Sequence, residues 1–276
     1  MARAAKSKPV CIYCQAAPGV TKDHVFPSAW YPKTTPSNIQ KRTVPCCLPC
    51  NKRLHEAEDA VVLDLLFICN PELPEIAGVH ENVCRAWQPE HARDPDDAKH
   101  RAGKTLKILR TMEWANPTAG APVVFVKKDG GLYRAASLAR ALDRTALQTV
   151  IEKFIRGLHY LEMKALVAAA GRHRSELPDP LLPLDMKFQH SLVPNPLIRA
   201  VDLRLKLDDF APELIAAIMA SPRFAMFGPG FEFRRLRTQV GTSMWLFRLW
   251  GQLDLVAFAY PSVVAAEVER RAGLRP

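Results

Sequence analysis

The chain has 276 residues, 48% of them hydrophobic, and carries a formal net charge of +10 with a pI near 9.4. This length and composition suffice for one large domain or two smaller ones, and the positive charge favours a polyanionic partner. The two most apolar stretches, residues 60–69 and 245–260, are interrupted by charged side chains, which argues against a membrane-spanning segment.

Cysteine usage indicates the redox compartment. The chain has seven cysteines, an odd number, and no apolar segment of the kind found in secretory signals follows its basic first ten residues. Because disulfide-stabilised proteins are usually secreted, we expect a protein of a reducing compartment, the cytoplasm.

Two short β-prone segments come first in the chain, at residues 10–13 and 22–26. The tripeptide Ala17-Pro18-Gly19 between them has the chemistry of a turn. The pattern predicts a small two-stranded ribbon.

Two Cys-x-x-C pairs bracket this region, Cys11 with Cys14 and Cys47 with Cys50. A two-residue gap lets both sulfurs of a pair turn toward one point, so two pairs supply the four thiolates of a tetrahedral structural zinc site. A chance pairing or a disulfide framework is the alternative. Cys46 could replace Cys47, but only Cys47 has the two-residue gap to Cys50.

An amphipathic helix is predicted to begin where the second pair ends, at Asn51. Its apolar face comprises Leu54, Val61, Val62 and Leu65. A helix that begins at a zinc site would hold Asn51 in a defined position relative to the ribbon.

Three further features accompany the cysteines: the sequence D-H-V-F-P at residues 23–27, Asn38, and Asn51 directly after the second pair. Over residues 11–60 they resemble the HNH endonucleases of the ββα-metal class, in which a hairpin strand carries D-H, a loop carries Asn and a helix carries the last His or Asn. The Gly-Gly that usually precedes the loop Asn is absent, and residues 30–36 take its place. The resemblance implies an α+β protein with an N-terminal zinc-stapled ββα-metal module.

The resemblance also implies roles for individual residues. His24 would be the general base that takes a proton from the attacking water, and Asn38 would help to orient its ring. Asp23 and Asn51 would hold a catalytic divalent cation, Mg²⁺ or another such as Mn²⁺ or Ni²⁺. His55, one helical turn after Asn51, would be a third ligand or a phosphate contact; it could equally be an exposed helix histidine, and Asn38 could simply lie in a turn.

The composition divides the rest of the chain. Residues 1–66 form the predicted nuclease module, and residues 67–98 are rich in Pro, Glu and Asp, which predicts a linker or a surface connection without a core. Residues 99–276 are predicted to form a helical segment and an α+β domain whose fold and role the sequence does not identify.

A basic helix is predicted at residues 99–113, with apolar side chains at 106, 109 and 112 directed toward a core. Four cations recur on it at three-residue spacing: Arg101, Lys104, Lys107 and Arg110. Such a stripe could follow a phosphate backbone, or it could be an ordinary solvated helix face.

The remaining elements alternate between strand and helix patterns. The predicted hairpin comprises residues 123–127 and 132–134, the predicted helices 137–142, 147–170 and 212–220, and the predicted strands 200–207, 231–238 and 243–259. Gly241 is expected in the turn of the last hairpin.

Two functions from different classes follow. The first is a metal-dependent HNH endonuclease that hydrolyses phosphodiester bonds of nucleic acid, with DNA the favoured substrate. The second is a catalytically silent zinc ribbon that binds nucleic acid or protein, for which the four cysteines alone would suffice.

Overall fold

The computed structural model describes residues 9–67, 69–110, 113–114, 124–126, 132–134, 138–139, 143–170, 186–194, 212–237 and 243–261. Over these residues the protein is a mixture of helices and antiparallel sheets, as the α+β prediction requires. No helix in the described ranges is long and apolar enough to cross a bilayer.

The N-terminal region has the order strand, strand, helix. Strands β1 (Thr21–His24) and β2 (Thr43–Cys46) pair antiparallel, with Asp23 opposite Val44, and helix α1 (Leu48–Phe67) follows β2 almost at once. All four side chains of the predicted apolar face of α1 are buried. The helix prediction is confirmed, although α1 begins three residues before Asn51.

The predicted pairing of residues 10–13 with residues 22–26 is wrong. Residues 11–14 form a turn, closed by the hydrogen bond from the Gln15 N–H to the Cys11 carbonyl (2.9 Å), and Gln15 has a positive φ of 55°. Only Val10 bridges to Pro18. The turn directs the cysteine side chains of this segment to one point, which an extended strand could not do because successive side chains would leave opposite faces.

The segment predicted as a linker contributes to the core. It contains helix α2 (Val79–Arg85) and two 3₁₀ turns, Pro74–Ile76 and Pro89–His91. Several of its apolar side chains are buried in the main core: Ile76, Val79, Val83 and Trp87. The prediction failed because the few apolar residues of an acidic, proline-rich segment can still pack together on a neighbouring core.

Helix α3 (Pro95–Arg110) confirms the predicted basic helix but not its orientation. The side chains of Leu106 and Leu109 are 54% and 56% exposed, so they do not point to a core in the described structure. Met112 lies outside the described residues.

Two small antiparallel pairs follow α3. Strands β3 (Glu113–Trp114) and β6 (Leu138–Ala139) form one pair, and β4 (Val124–Val126) and β5 (Leu132–Arg134) form the other. The second pair confirms the predicted hairpin, whereas Leu138–Ala139 is a strand within a segment predicted to be helical.

Helix α4 (Arg144–Ala170) confirms the long predicted helix and packs against α1 and the N-terminal strands. Its contact with the segment after β1 is close, because a Cβ on Gly157 would lie 2.9 Å from a methyl group of Val25. A glycine at this position lets the helix backbone approach the end of β1.

A five-stranded antiparallel sheet completes the described chain, in the order β7-β11-β10-β9-β8. Its elements are β7 (Met186–Pro194), helix α5 (Pro212–Ala220), β8 (Arg223–Phe224), β9 (Phe231–Arg237), β10 (Ser243–Leu249) and β11 (Leu253–Pro261). Trp250, Gly251 and Gln252 form the turn between β10 and β11, the first two with positive φ, so the single strand predicted at residues 243–259 is two strands. The predicted strand 200–207 and Gly241 lie outside the described residues.

One buried cluster extends from the cysteine region to β11. Phe26 packs against Phe154 of α4 and stacks on Phe231 of β9, and the Trp250 indole N–H donates to the Trp30 carbonyl at 2.9 Å. The core is therefore continuous across residues 66 and 98, where the sequence predicted domain boundaries.

Candidate functional site

The four cysteines of the predicted zinc site come together. The Sγ atoms of Cys11, Cys14, Cys47 and Cys50, hereafter the cysteine cluster, lie within 4.8 Å of one another. All four are free thiols, which disagrees with a disulfide framework. Within the described ranges no other group of three or more His, Cys, Asp or Glu residues is close enough to hold a metal ion.

The cluster has dimensions that suit zinc. A tetrahedron with Zn–S bonds of about 2.3 Å has S–S edges of about 3.8 Å. The Cys14 and Cys47 sulfurs are 3.8 Å apart. Backbone N–H groups of Ala16 and Ala17 lower the pKa of Cys14 to about 6, whereas burial raises the pKa of Cys50. A bound metal would favour the thiolate at every position.

The choice of Cys47 over Cys46 is confirmed. Cys46 ends β2 and is fully buried, and its thiol donates to the Cys47 carbonyl at 3.3 Å instead of joining the cluster. Cys47 directly precedes α1, and its carbonyl accepts the Asn51 N–H at 2.9 Å. The cluster is thus attached directly to the N-terminus of α1.

An open cleft of about 400 Å³ lies between the end of β1 and the first turns of α1. It is lined by four of the residues that the resemblance singles out: Asp23, His24, Asn51 and His55. Lys22 and Lys52 also line it and place positive charge at its mouth. The strand and the helix bring these residues together although 32 positions separate the first from the last.

His24 is the last residue of β1 and is half-buried. Its Nδ1 atom is buried and makes no hydrogen bond within the described part of the chain. Burial lowers the pKa of His24, although the neighbouring Asp23 carboxylate opposes this shift. The ring is therefore neutral at pH 7 and able to accept a proton.

Asp23 is buried and both of its oxygens accept hydrogen bonds. Oδ2 accepts from the Tyr13 hydroxyl at 2.6 Å, and Oδ1 accepts from Lys153 Nζ at 2.9 Å. Burial raises the pKa of Asp23 despite the nearby ammonium. Each oxygen keeps a second lone pair, so the carboxylate can still bind a cation.

Lys153 of α4 is a residue of the cleft that the sequence did not reveal. Its side chain is fully buried, and its ammonium also donates to Glu58 Oε1 of α1. We call Asp23, Glu58 and Lys153 the acid–lysine cluster. The only sequence signal is a lysine inside an apolar helical face, between Ile151 and Phe154, and that pattern by itself does not indicate a site.

His55 is 70% exposed at the side-chain level and lies between two carboxylates. Its Nδ1 is 4.0 Å from Glu58 Oε2, and its Nε2 is 3.8 Å from Asp59 Oδ2. The Glu58 carboxylate raises the pKa of His55. The exposed ring is accessible from the cleft to a phosphate or to a cation.

Asn38 does not reach the cleft. It is exposed in a turn closed by the hydrogen bond from the Ile39 N–H to the Pro36 carbonyl (3.0 Å), and it is not among the residues that line the cleft. Its proposed role in orienting His24 remains a prediction from the resemblance.

The basic stripe of α3 is partly occupied by internal partners. Arg101 pairs with Asp97 on the same helix and donates to the Arg85 carbonyl, and Lys104 pairs with Asp59 of α1. Lys107 and Arg110 are exposed. Two of the four cations thus have structural roles, and the other two are accessible to a ligand.

The donor set of the cleft suits a hard divalent cation. Carboxylate and amide oxygens are the ligands that Mg²⁺ and Mn²⁺ prefer, and Asp23, Glu58 and Asn51 all line the cleft.

Comparison of the chain with family models, curated proteins and solved structures gave no match.

Proposed function

We propose that this protein is a metal-dependent HNH-type endonuclease that hydrolyses phosphodiester bonds of nucleic acid, with DNA the favoured substrate. The observation that supports this most is the order β1, β2, α1, which puts His24 on the same cleft as Asn51 and His55. A zinc ribbon needs only the four cysteines and would not require this second set of residues.

In this proposal His24 is the general base. A neutral imidazole that lines an open cleft can remove a proton from a water molecule as that water attacks phosphorus. The buried Nδ1 side of the ring limits its rotation, because it is packed inside the protein.

Asp23 and Asn51 would hold the divalent cation, with Mg²⁺, Mn²⁺ or Ni²⁺ as candidates. When bound, such an ion supplies Lewis-acid stabilisation of the negative charge that develops on the phosphate oxygens. His55, Lys22 and Lys52 would contact the flanking phosphates, which agrees with the net charge of +10.

The cysteine cluster would hold a structural zinc ion. Two of its ligands lie in the turn at residues 11–14, one directly follows β2 and one is in the first turn of α1, so zinc would keep this turn, β2 and α1 in a fixed relation. The two walls of the cleft would then have a defined separation.

Replacing His24 by Ala tests the proposal. General-base assistance is worth about 10²–10⁴ in rate, so cleavage of plasmid or single-stranded DNA should fall by that factor while zinc content and thermal stability stay near wild type. His100→Ala is the matched control, because His100 is exposed on α3 outside the cleft. Excess Mn²⁺ should partly restore Asn51→Ala but not His24→Ala, because added metal can refill a weakened site but cannot replace a base.

If His24→Ala cleaved as fast as the wild type after contaminating nucleases were excluded, the HNH assignment would be wrong. Binding of nucleic acid without cleavage under Mg²⁺, Mn²⁺ or Ni²⁺ would favour the zinc-ribbon function instead. RNA in the same substrate panel would decide which nucleic acid is cleaved.

A further inference from the structure

The acid–lysine cluster places one internal cation between two carboxylates of the cleft. Lys153 Nζ is 2.9 Å from Asp23 Oδ1 and also donates to Glu58 Oε1. The two carboxylates come from β1 and α1, the two walls of the cleft, and the lysine comes from α4. A single ammonium therefore joins three elements at the base of the cleft.

The formal charges of this cluster do not cancel. Asp23 and Glu58 contribute −1 each and Lys153 contributes +1, which leaves a net charge of −1 at a buried location. A buried ion pair is weak evidence for stability, because the desolvation of the charged groups can exceed their attraction. The cluster is therefore weak evidence for a purely stabilising role, although His55, whose Nδ1 lies 4.0 Å from Glu58 Oε2, offsets part of the charge whenever its ring is protonated.

The same two carboxylates are suitable ligands for a divalent cation. Their oxygens converge on one positive group, which shows that the pair accepts a cation at its centre. A divalent ion carries twice the charge of an ammonium and would neutralise both carboxylates. Lysine is a mobile ligand, since its ammonium sits on a flexible four-carbon stem and can move where an arginine fork would be held.

We propose that a divalent cation binds between Asp23 and Glu58 by displacing the Lys153 ammonium, so that Glu58 is a metal ligand and Lys153 is the competitor that sets metal affinity. This inference rests on the proposed function, because the cation is the one assigned to Asp23. Lys153 lines the cleft, so the released ammonium can turn toward it and meet a substrate phosphate.

Mn²⁺ binding to the zinc-loaded full chain tests the competition. The probe is the electron paramagnetic resonance signal of free aqueous Mn²⁺, which disappears on binding, and the oxygen-preferring Mn²⁺ does not compete for the thiolates. Lys153→Met should lower the Kd for Mn²⁺ by about tenfold or more, a change of about 1.4 kcal/mol. Glu58→Gln should raise the Kd by a similar factor, because the amide keeps an acceptor for Lys153 but loses the charge.

Thermal stability gives a second readout. Without Mn²⁺, Lys153→Met leaves two buried carboxylates without their cation and should lower the melting temperature by on the order of 10 °C. Added Mn²⁺ should restore most of the lost melting temperature of Lys153→Met, and it should raise the melting temperature of the wild type by less. Lys104→Met is the control, since Lys104 pairs with Asp59 outside the cluster. The Mn²⁺ affinity of Lys104→Met should equal that of the wild type.

Unchanged or weaker Mn²⁺ binding by Lys153→Met would overturn the inference and make Lys153 a purely structural residue. If Lys153→Met does not fold in either condition, Glu58→Gln decides, and wild-type affinity in that variant would also overturn it. The proposed function is tested separately. If cleavage depends on His24 while Lys153→Met and Glu58→Gln bind Mn²⁺ as the wild type does, the proposed function stands and this inference is wrong. If both variants change Mn²⁺ affinity as expected but the wild type cleaves no nucleic acid, the metal site stands and the proposed function is wrong.

Discussion

The cysteine cluster and the acid–lysine cluster both tie α1 to the N-terminal strands, but different parts of the chain assemble them. The cysteines lie within residues 11–50, in two short pairs. Lys153 reaches Asp23 across 130 positions and Glu58 across 95. The first cluster requires local turns and a metal ion, whereas the second forms only when α4 has packed on the N-terminal region.

Because the two clusters are assembled differently, we expect substitutions in them to destabilise the protein to different degrees. The largest loss of stability should come from substitution of a cysteine ligand. Structural zinc contributes about 10–16 kcal/mol in zinc-finger peptides at pH 7. Cys47→Ser should therefore lose zinc and unfold the region around α1, measured by metal analysis and thermal unfolding. Cys46→Ser should keep zinc, because Cys46 lies outside the cluster. Zinc retained by Cys47→Ser and lost from Cys46→Ser would reverse the assignment of the ligands.

An intermediate effect is expected where α4 approaches β1. In Gly157→Ala the added Cβ would lie 2.9 Å and 3.0 Å from the Val25 methyl groups, and such overpacking costs about 1–3 kcal/mol. Urea unfolding should show this loss with zinc content of the folded protein unchanged, since α4 supplies none of the four cysteines. Gly103→Ala in α3 is the matched control, because its Cβ meets nothing within 4 Å and alanine improves helix propensity by about 1 kcal/mol. If Gly157→Ala stabilised the protein as much as Gly103→Ala does, the space between Gly157 and Val25 would be large enough to hold a methyl group.

The smallest effect should come from the basic stripe of α3, which adjoins the acid–lysine cluster through Lys104 and Asp59. Lys107→Gln should lower the slope of log affinity for DNA against log salt by about one, as expected for one lost phosphate contact. Arg101→Gln should leave the slope unchanged, since Arg101 already pairs with Asp97. A slope that is the same in wild type and Lys107→Gln would exclude this stripe from the interface.

Elements with strong local patterns could be predicted from the sequence. The helix at Pro212–Ala220, the hairpin of β4 and β5, and most of α1 and α4 agree with their predicted limits within a few residues. Apolar periodicity and turn residues suffice there, because neighbours in sequence make most of the contacts that define such elements.

Pairing and burial were harder to predict. Strand β1 pairs with β2, about twenty residues further along the chain, and the strand at Leu138–Ala139 pairs with Glu113–Trp114. Strand pairing joins residues distant in sequence, and two or three residues carry too short a pattern to reveal it.

The spacing of the cysteines was enough to predict their cluster, because ligand spacing is a local property, whereas His24 and Asn51 were singled out by the resemblance. Three features could be seen only in the folded protein: Glu58 and Lys153 join Asp23, Asn38 lies in an exposed turn, and the core continues from the cysteine region into the sheet. A buried charge needs a partner within a few ångströms, and the chain supplies that partner from whichever element packs there, however distant in sequence.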